Sequence, residues 1–324
     1  MRSGITVALA SDAFVRAAPG STTRIFTGTD GDFTITGGTI DLNKSAVVDS
    51  GSLSQQQGVY VTATSGNASL AMTGTKVIDG TQHGVEARAS TGRTLTVTMT
   101  DVETTGCNRG VFLVNATTAD LTRPVATGNA VEGIYCIDGA GYTITDAEAS
   151  DNGGHGIVVS RATDIVVTNP AANDNGGYGV VISENCKRFA ISGGETKRNG
   201  ESGVGADVRR EPPNGDEVVD TDGSTISGVT STNNNVHGMW INYASDLTVS
   251  GNTCSNNGNA GIYALTRSST FTGNSGTGNV GYGLAFDEGD PPNTTMGGNT
   301  ASTNTVTGGN GALLNATTIP NTIT

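Results

Sequence analysis

The sequence predicts an all-β fold, a parallel β-helix in which a single chain winds through about a dozen coils of about 23 residues each. Two observations carry this prediction. The strings "DNGGHGIVVS" and "DNGGYGVVIS" begin at Asp151 and Asp174, so the same pattern returns after 23 residues. The chain is also rich in glycine, with 48 among 324 residues, poor in charge at 15%, and without a helical period of apolar residues.

A glycine opens the first strand of each predicted repeat, and most neighbouring glycines in the series are 22 to 24 residues apart. A fixed period of this length is typical of a solenoid, because each repeat buries its apolar face only against its neighbours. The opening glycines are Gly84, Gly110, Gly133, Gly156, Gly179, Gly203, Gly238, Gly261, Gly283 and Gly311.

Each repeat is predicted to hold two strands joined by corners rich in Asn and Gly, residues that tolerate left-handed backbone. The residues one and three steps after the opening glycine are apolar, as with Ile157 and Val159. Because side chains alternate between the two faces of a strand, these two columns are predicted to form the core.

The whole chain, 1–324, is predicted to be one domain with N-terminal coils and a cap over 1–50. Two insertions interrupt the period, at 207–223 and 287–295. The first residues, "MRSGITVALASDAF", give no clear signal peptide, because the apolar run is short and Asp12 breaks it.

Composition excludes several classes of function. The net charge of −13 argues against nucleic-acid or anionic-membrane binding. No apolar run is long enough to insert into a membrane as a helix. The four cysteines are widely spaced without a C-x-x-C pair, so neither a disulfide framework nor a zinc site is expected, and Cys136 is predicted to be a buried free thiol.

The repeats, together with "ITGGTIDLNKS" near Thr36, resemble the right-handed parallel β-helix (pectin-lyase-like) superfamily of pectate lyases, mannuronan C5-epimerases and phage tailspikes. The resemblance implies a right-handed helix and a polysaccharide as partner. It also implies an extracellular or virion-surface location. Such repeats specify a fold rather than a reaction.

The epimerase motif Y-G-F-D-P-H-E has its nearest match in "HGVEARAST", where His83 replaces the Tyr, Glu86 the Asp and Arg88 the His. A second epimerase segment, R-H-G-F-N, resembles "GHGIVV" through His155. His83 and His155 lie three repeats apart, whereas two repeats separate these motifs in the family. The sequence therefore departs from the epimerase pattern.

The outward strand positions of the middle repeats are unexpectedly apolar. An exposed apolar patch usually marks an interface. We therefore predict a homo-oligomer, most simply a trimer, or cover by a loop or terminus. The residues of this apolar stripe are Phe112, Val114, Tyr135, Ile137, Val158 and Val181.

Further along the same face, aromatic and polar side chains mix. Trp240, Asn242 and Tyr263 would stack on sugar rings and bond to their hydroxyls, with the two insertions forming the walls of a groove. A cluster of basic residues could hold a polyanion, although surface ion pairing explains it equally well. Its members assigned to substrate binding are Lys187, Arg188 and Arg210.

Catalytic candidates lie beside this groove. Asp207 and Asp287 are predicted about 14 Å apart, too far for a glycosidase pair. Asp207 with Glu211, or Asp287 with Glu288 or Asp290, could be closer. Removing a proton next to a uronate carboxylate requires a cation, a base and a proton donor. The residues proposed for those three roles are Arg209, His237 and Tyr243.

The acidic segment "DEVVDTD" supplies hard oxygen ligands that could hold Ca²⁺, with a solvated loop as the alternative. No other cofactor is expected. The ligand candidates are Asp216, Glu217, Asp220 and Asp222.

Three functions stay open at this point. The first is a protein that binds and cleaves or modifies an acidic polysaccharide, either a lyase or a tailspike-like depolymerase of the glycoside hydrolase type. The second is a mannuronan C5-epimerase-like enzyme. The third is a non-catalytic adhesin or fibre segment that binds glycans.

Overall fold

In the computed structural model, the chain forms an all-β solenoid of about eleven turns, and every strand pairs with its neighbours in parallel. The structure describes residues 4–19, 21, 23–44, 56–208, 219–288, 295–297, 299–302 and 322–323. No helix long and apolar enough to cross a membrane occurs in that part of the chain.

The first strand of each turn belongs to sheet I. Its register confirms the predicted repeat, because Val85, Val111, Ile134 and Ile157 pair one after another, each one residue after an opening glycine. The strands of sheet I are Phe26–Thr29, Val59–Ala63, Val85–Ala89, Val111–Val114, Ile134–Ile137, Ile157–Ser160, Val180–Ser183, Val204–Asp207, Met239–Ser250, Ile262–Arg267 and Leu284–Glu288.

The second strand of each turn belongs to sheet II. The long strand Met239–Ser250 runs from sheet I into sheet II and joins them. The other strands of sheet II are Ile5–Ala8, Asp32–Thr36, Ala68–Thr73, Leu95–Thr100, Thr118–Thr122, Ala140–Thr145, Thr163–Thr168, Lys187–Ser192, Val219–Ser227, Thr270–Thr272 and Thr295–Gly297.

A third, short strand, which the sequence did not reveal, occurs in most described turns, and these strands form two short sheets that we together call sheet III. In the two turns between these sheets, only isolated bridges at Glu148 and Ala171 take the place of the third strand. These strands are mostly three residues long with one buried residue, so they lack the alternation that identified the others. They are Phe14–Arg16, Thr39–Asp41, Lys76–Ile78, Glu103–Thr105, Val125–Thr127, Glu195–Lys197, Thr230–Thr232, Thr253–Ser255, Ser275–Thr277, Thr300–Ser302 and Thr322–Ile323.

The core is the predicted one. Residues one and three steps after each opening glycine are buried in every described turn from Val85 to Phe286. All four cysteines are free and buried, as expected for Cys136, and burial raises the pKa of the Cys107 and Cys186 thiols to about 12. These thiols are therefore packing groups rather than nucleophiles.

A ladder of buried asparagines runs along one corner of the solenoid. The amide of Asn152 donates to Oδ1 of Asn175 at 3.0 Å and to the carbonyl of Ala126 at 2.9 Å. Each rung also accepts a backbone N–H from the turn before it, so every buried polar atom of a rung is paired. The ladder comprises Asn129, Asn152, Asn175, Asn199, Asn234, Asn257 and Asn279.

The two predicted insertions are partly described. Residues 209–218 and 289–294 lie outside the described residues. The strand Val219–Ser227 begins within the segment 207–223 that the sequence assigned to the first insertion, and the strand Leu284–Glu288 includes Asp287.

Candidate functional site

The outward face of sheet I is one continuous surface built from three columns of side chains. Two columns are the strand residues two and four steps after each opening glycine. The third is the residue before each glycine, which turns onto the same face: the His83 ring contacts Phe112, with centroids 4.8 Å apart, and the His237 ring lies 5.3 Å from Tyr263. Corner and strand residues therefore form one surface.

At the N-terminal end, this face carries a dense group of charged and aromatic side chains, which we call the acid–arginine cluster. Glu86 points outward but is only 2% exposed. Its Oε2 accepts a hydrogen bond of 2.9 Å from Nε2 of Gln57, and its Oε1 accepts one from Nε of Arg88. These charge-assisted bonds offset the loss of hydration. The cluster comprises His83, Glu86, Arg88, Arg109, Phe112, Glu132 and Tyr135.

Two arginines of the cluster lie on one aromatic ring. The guanidinium carbons of Arg88 and Arg109 are 4.9 and 5.0 Å from the centroid of Phe112, within range of a cation–π contact. Nε of Arg109 donates to Glu132. Within the described residues, the terminal nitrogens of both arginines have no hydrogen-bond partner, so four planar N–H-bearing groups remain for an anion.

His83 lies behind these arginines and is 7% exposed. Its Nε2 is 3.9 Å from Oε2 of Glu86, and its buried Nδ1 has no partner among the described residues. Burial lowers its pKa from 6.5 to about 4; the Glu86 charge opposes this, and Arg109 and Arg88 add to it. The imidazole is therefore neutral at neutral pH.

Tyr135 is partly exposed and supplies the phenol hydroxyl of the cluster. Its ring stacks on Phe112 with centroids 5.3 Å apart, and the guanidinium carbon of Arg109 lies 5.3 Å from its centroid. Burial, and then the charge of Glu184, raise the pKa of its phenol. The hydroxyl is therefore protonated at neutral pH and able to donate.

The predicted groove residues lie together on the same face, nearer the C-terminal end. Trp240 pairs in register with Gly205 on one side and Tyr263 on the other. Asn242 is buried and its Nδ2 donates to Oδ1 of Asp207 over 3.4 Å. This part of the face is aromatic and polar.

His237 has a structural contact. Its Nδ1 accepts a hydrogen bond of 3.2 Å from the backbone N–H of Ala260, and His155 makes the equivalent contact of 2.9 Å with the N–H of Tyr178. Burial lowers the pKa of His237 from 6.5 to about 4. Since Nδ1 accepts this backbone hydrogen bond, only Nε2 of His237 is available to act on a substrate.

The backbone at Tyr243 is irregular: its φ is 55°, and the strand register shifts between Asn242 and Ala244.

Comparison with known proteins identifies the family. The family model of the right handed beta helix region matches residues 57–211 and 212–324. The chain belongs to the right-handed β-helix family. No curated protein sequence matches it.

Solved structures with the same β-helix fold include proteins that act on polysaccharides. The periplasmic alginate epimerase AlgG has 15% sequence identity and a TM-score of 0.69, over 93% of this chain and 76% of that one. The A-module of the Azotobacter vinelandii mannuronan C-5 epimerase AlgE4 has 17% identity and a TM-score of 0.56, over 91% of each chain. At these identities the likeness establishes the β-helix fold.

The remaining acidic candidates are separated along the β-helix. Asp207 and Asp287 occupy one column with Asn242 and Leu265 between them, three turns apart as predicted. Glu288 follows in the same strand. Five candidates lie outside the described residues: Arg209, Arg210, Glu211, Asp216 and Glu217.

The basic candidates that the structure describes lie on sheet II rather than beside Trp240. Lys187 begins the strand Lys187–Ser192. Arg188 is exposed and ion-paired, with Nε 2.6 Å from Oδ1 of Asp164 and Nη1 3.3 Å from Oδ2 of Asp222. The ion-pairing alternative therefore accounts for Arg188.

The predicted calcium ligands are partly described. Oδ1 of Asp220 accepts the backbone N–H of Asp222 at 2.9 Å, and both side chains are exposed. Among the described residues, no three acidic, histidine or cysteine side chains come together as a metal site. Calcium binding at 216–222 stays a prediction.

The apolar stripe is less exposed than the sequence predicts. Phe112, Val158 and Val181 are each at most 9% exposed within a single chain. Side chains on neighbouring turns are only about 4.8 Å apart and cover one another, and His83 also covers Phe112. The prediction of an exposed apolar patch is therefore wrong for these three residues.

The acid–arginine cluster was missed as a site, although the sequence contains a signal for it. Glu86 and Arg88 occupy outward positions that are apolar in the following turns, and Arg109 and Glu132 occupy successive positions of the corner column. Charges of opposite sign in adjacent turns of a β-helix indicate contact.

Proposed function

We propose that this protein binds an acidic polysaccharide along the outward face of sheet I and cleaves or modifies it at the acid–arginine cluster. The observation that carries the proposal is the pair Arg88 and Arg109, held over Phe112 with their terminal nitrogens unpaired within the described chain. A planar guanidinium fork suits a carboxylate. Because the chain has a net charge of −13 and as a whole repels a polyanion, a polyanion requires a local group of cations such as these two arginines.

The comparisons support a polysaccharide as the class of partner, because the similar epimerases are named for alginate and mannuronan. An extracellular or virion-surface location, where such polymers occur, belongs to the same proposal. The tailspike-like form of the proposal has no support of comparable strength, since the Dettilon tailspike protein gives a TM-score of 0.49.

The chemistry follows from the charges of the cluster. Arginines on a uronate carboxylate neutralise it and stabilise the negative charge that develops when the neighbouring carbon loses its proton. Lyases and epimerases share this requirement. Tyr135, protonated and partly exposed, is the residue that we assign to proton donation, and we assign the carboxylate of Glu132, beside Arg109, to accept the proton that leaves the carbon. Glu86 positions Arg88 through its hydrogen bond, and His83 packs against Phe112.

The alternative centre beside Trp240 stays a prediction. There, Arg209, His237 and Tyr243 would supply the cation, the base and the proton donor. The two centres are about five turns apart, or about 24 Å, so point variants separate them. A protein that binds glycans without chemistry is the remaining alternative.

The test is incubation with alginate, pectate and bacterial capsules. A lyase produces the ultraviolet absorbance of unsaturated uronates, a hydrolase releases reducing ends without it, and an epimerase changes the NMR signals of the anomeric protons. We expect one of these signals to be lost in Arg109→Ala and Tyr135→Phe and kept in His237→Gln. Loss in His237→Gln alone would place the reaction beside Trp240, and binding without any signal would favour the adhesin.

The predicted trimer competes with this proposal for the same surface. A trimer formed through the apolar stripe would cover the path between the cluster and Trp240. Light scattering distinguishes the trimer from a monomer, because a trimer has about three times the chain mass of 32.6 kDa. A monomer would leave the outward face of sheet I open to a polymer.

A further inference from the structure

In the turn opened by Gly203, the outward position two steps after the glycine is itself a glycine, Gly205, whereas the neighbouring turns have a side chain there. Gly205 lies in register between Val181 and Trp240. The ring of Tyr178 uses this space, because a Cβ atom added to Gly205 would lie 3.0 Å from both Cδ1 and Cε1 of that ring. The ring of Tyr178 thus lies directly over this strand, in the space that a side chain larger than alanine at 205 would fill.

Across this gap, Tyr178 meets Trp240. Their backbones are two turns apart, about 10 Å along the axis, yet their ring centroids are 6.1 Å apart and the ring planes differ by 16°. Both rings are partly exposed. They form one nearly parallel aromatic surface over Gly205, which we call the aromatic shelf.

The shelf differs chemically from the acid–arginine cluster. Its two rings are uncharged and combine an apolar body with a polar edge, the combination that packs against the apolar face of a sugar ring. The cluster, about four turns or about 19 Å away, offers guanidinium groups for an acidic substituent. The two surfaces therefore suit different parts of one polymer.

Between the acid–arginine cluster and the aromatic shelf, the outward face of sheet I carries only small or buried side chains at its strand positions. The outward positions of the two intervening turns hold Val158 and Val181, each 7% exposed, followed by the small residues Ser160 and Ser183. No bulky side chain in these four positions blocks a chain that lies along the face.

We infer that Tyr178, Gly205 and Trp240 form a second subsite, which binds a sugar ring of the same polysaccharide chain about 19 Å from the arginines. The inference rests on the proposed function, since it requires a polymer lying along sheet I. It adds a requirement for length: an oligomer that spans both surfaces binds more tightly than one that reaches the arginines alone.

The test uses the single tryptophan of the chain as its reporter, because the intrinsic tryptophan fluorescence comes from Trp240 alone. Size-fractionated oligomers of alginate and of pectate are titrated, with calorimetry as an independent measure of binding. We expect short oligomers to bind without changing the Trp240 emission. Oligomers that span about 19 Å should change it and bind about tenfold more tightly.

Two variants address the shelf by different routes. Gly205→Leu fills the space over the strand that the Tyr178 ring occupies, and Tyr178→Ala removes the ring without introducing a clash. Both should lose the tenfold advantage of long oligomers and keep the affinity for short ones. The matched control is Phe14→Ala, which removes an exposed ring from sheet III and should change neither.

Binding that is independent of length and leaves the Trp240 emission unchanged would overturn the shelf and leave the proposed function standing. Absence of calorimetric binding by every oligomer would contradict both.

Discussion

Nε of Arg88 donates a hydrogen bond to Oε1 of Glu86, two residues earlier in the same strand of sheet I. Both side chains point outward, yet the carboxylate is almost completely covered, since Gln57 from the preceding turn donates to its other oxygen. The pair fixes the guanidinium of Arg88 above Phe112. A covered carboxylate on the outer face of a β-helix thus orients a cation toward solvent.

The first prediction concerns this carboxylate. Glu86→Gln removes the charge that holds Arg88, and we expect the free energy of unfolding to fall by about 2 kcal/mol, because a buried charged acceptor is lost. Urea denaturation measures the change. The matched control, Glu103→Gln, breaks a more exposed pair with Lys76 and should cost less than about 1 kcal/mol. Equal losses in the two variants would contradict the special role of Glu86.

The second prediction is a pH dependence of stability caused by buried histidines. The pKa of His83 and of His237 falls from 6.5 to about 4 on folding. Between these values the unfolded chain binds protons that the folded chain does not, so stability is complete above pH 6.5 and is lost as the pH falls toward 4.

Replacement of either histidine checks this dependence. His83→Gln and His237→Gln should each make the free energy of unfolding less dependent on pH between 6.5 and 4 than in the wild type, whose carboxylates titrate in the same range. Denaturant unfolding at several pH values gives the slopes. A variant slope equal to that of the wild type would mean that the histidine is not buried as a neutral group.

The third prediction concerns the asparagine ladder. Asn175→Ala removes the acceptor of the Asn152 backbone N–H and of one N–H of the Asn152 amide, and it leaves the carbonyl of Ala149 without a side-chain donor in a buried corner. We expect a loss of about 3 kcal/mol or more in the free energy of unfolding. Thr98→Ser, on the exposed side of sheet II, serves as control and should change stability by less than about 0.5 kcal/mol. A mild effect of Asn175→Ala would show that water replaces the rung.

Most of the fold could be predicted from the sequence, because the opening glycine and the apolar residues one and three steps later fix the strand, its register and its inward face. The third strand, which most turns have, could not be predicted. A three-residue strand with one buried Thr or Ala, such as Glu103–Thr105, has too few residues to show a period. The residue type of the ladder asparagines predicts turns but not the ladder, because their buried partners come from the next turn.

The site was predicted only in part. Trp240, Asn242 and Tyr263 do lie on one face with Asp207, since the period of two determines which residues point outward. The same period brings Glu86 and Arg88 to that face, but the cover over Glu86 depends on the side chain of Gln57 in another turn. The position of the Tyr178 ring over Gly205 likewise depends on the direction of its side chain, which cannot be read from the spacing of residues in the sequence.

The most direct test of the central proposal, that the outward face of sheet I holds an acidic polysaccharide through Arg88 and Arg109, is a calorimetric titration with alginate and pectate oligomers. We predict that wild-type protein binds one of them, more weakly as salt is added. The Arg88→Ala/Arg109→Ala double variant should lose at least about tenfold in affinity. Arg198→Ala, which removes an exposed and paired arginine outside this face, should bind like the wild type. Equal affinity of the double variant and the wild type would contradict the proposal.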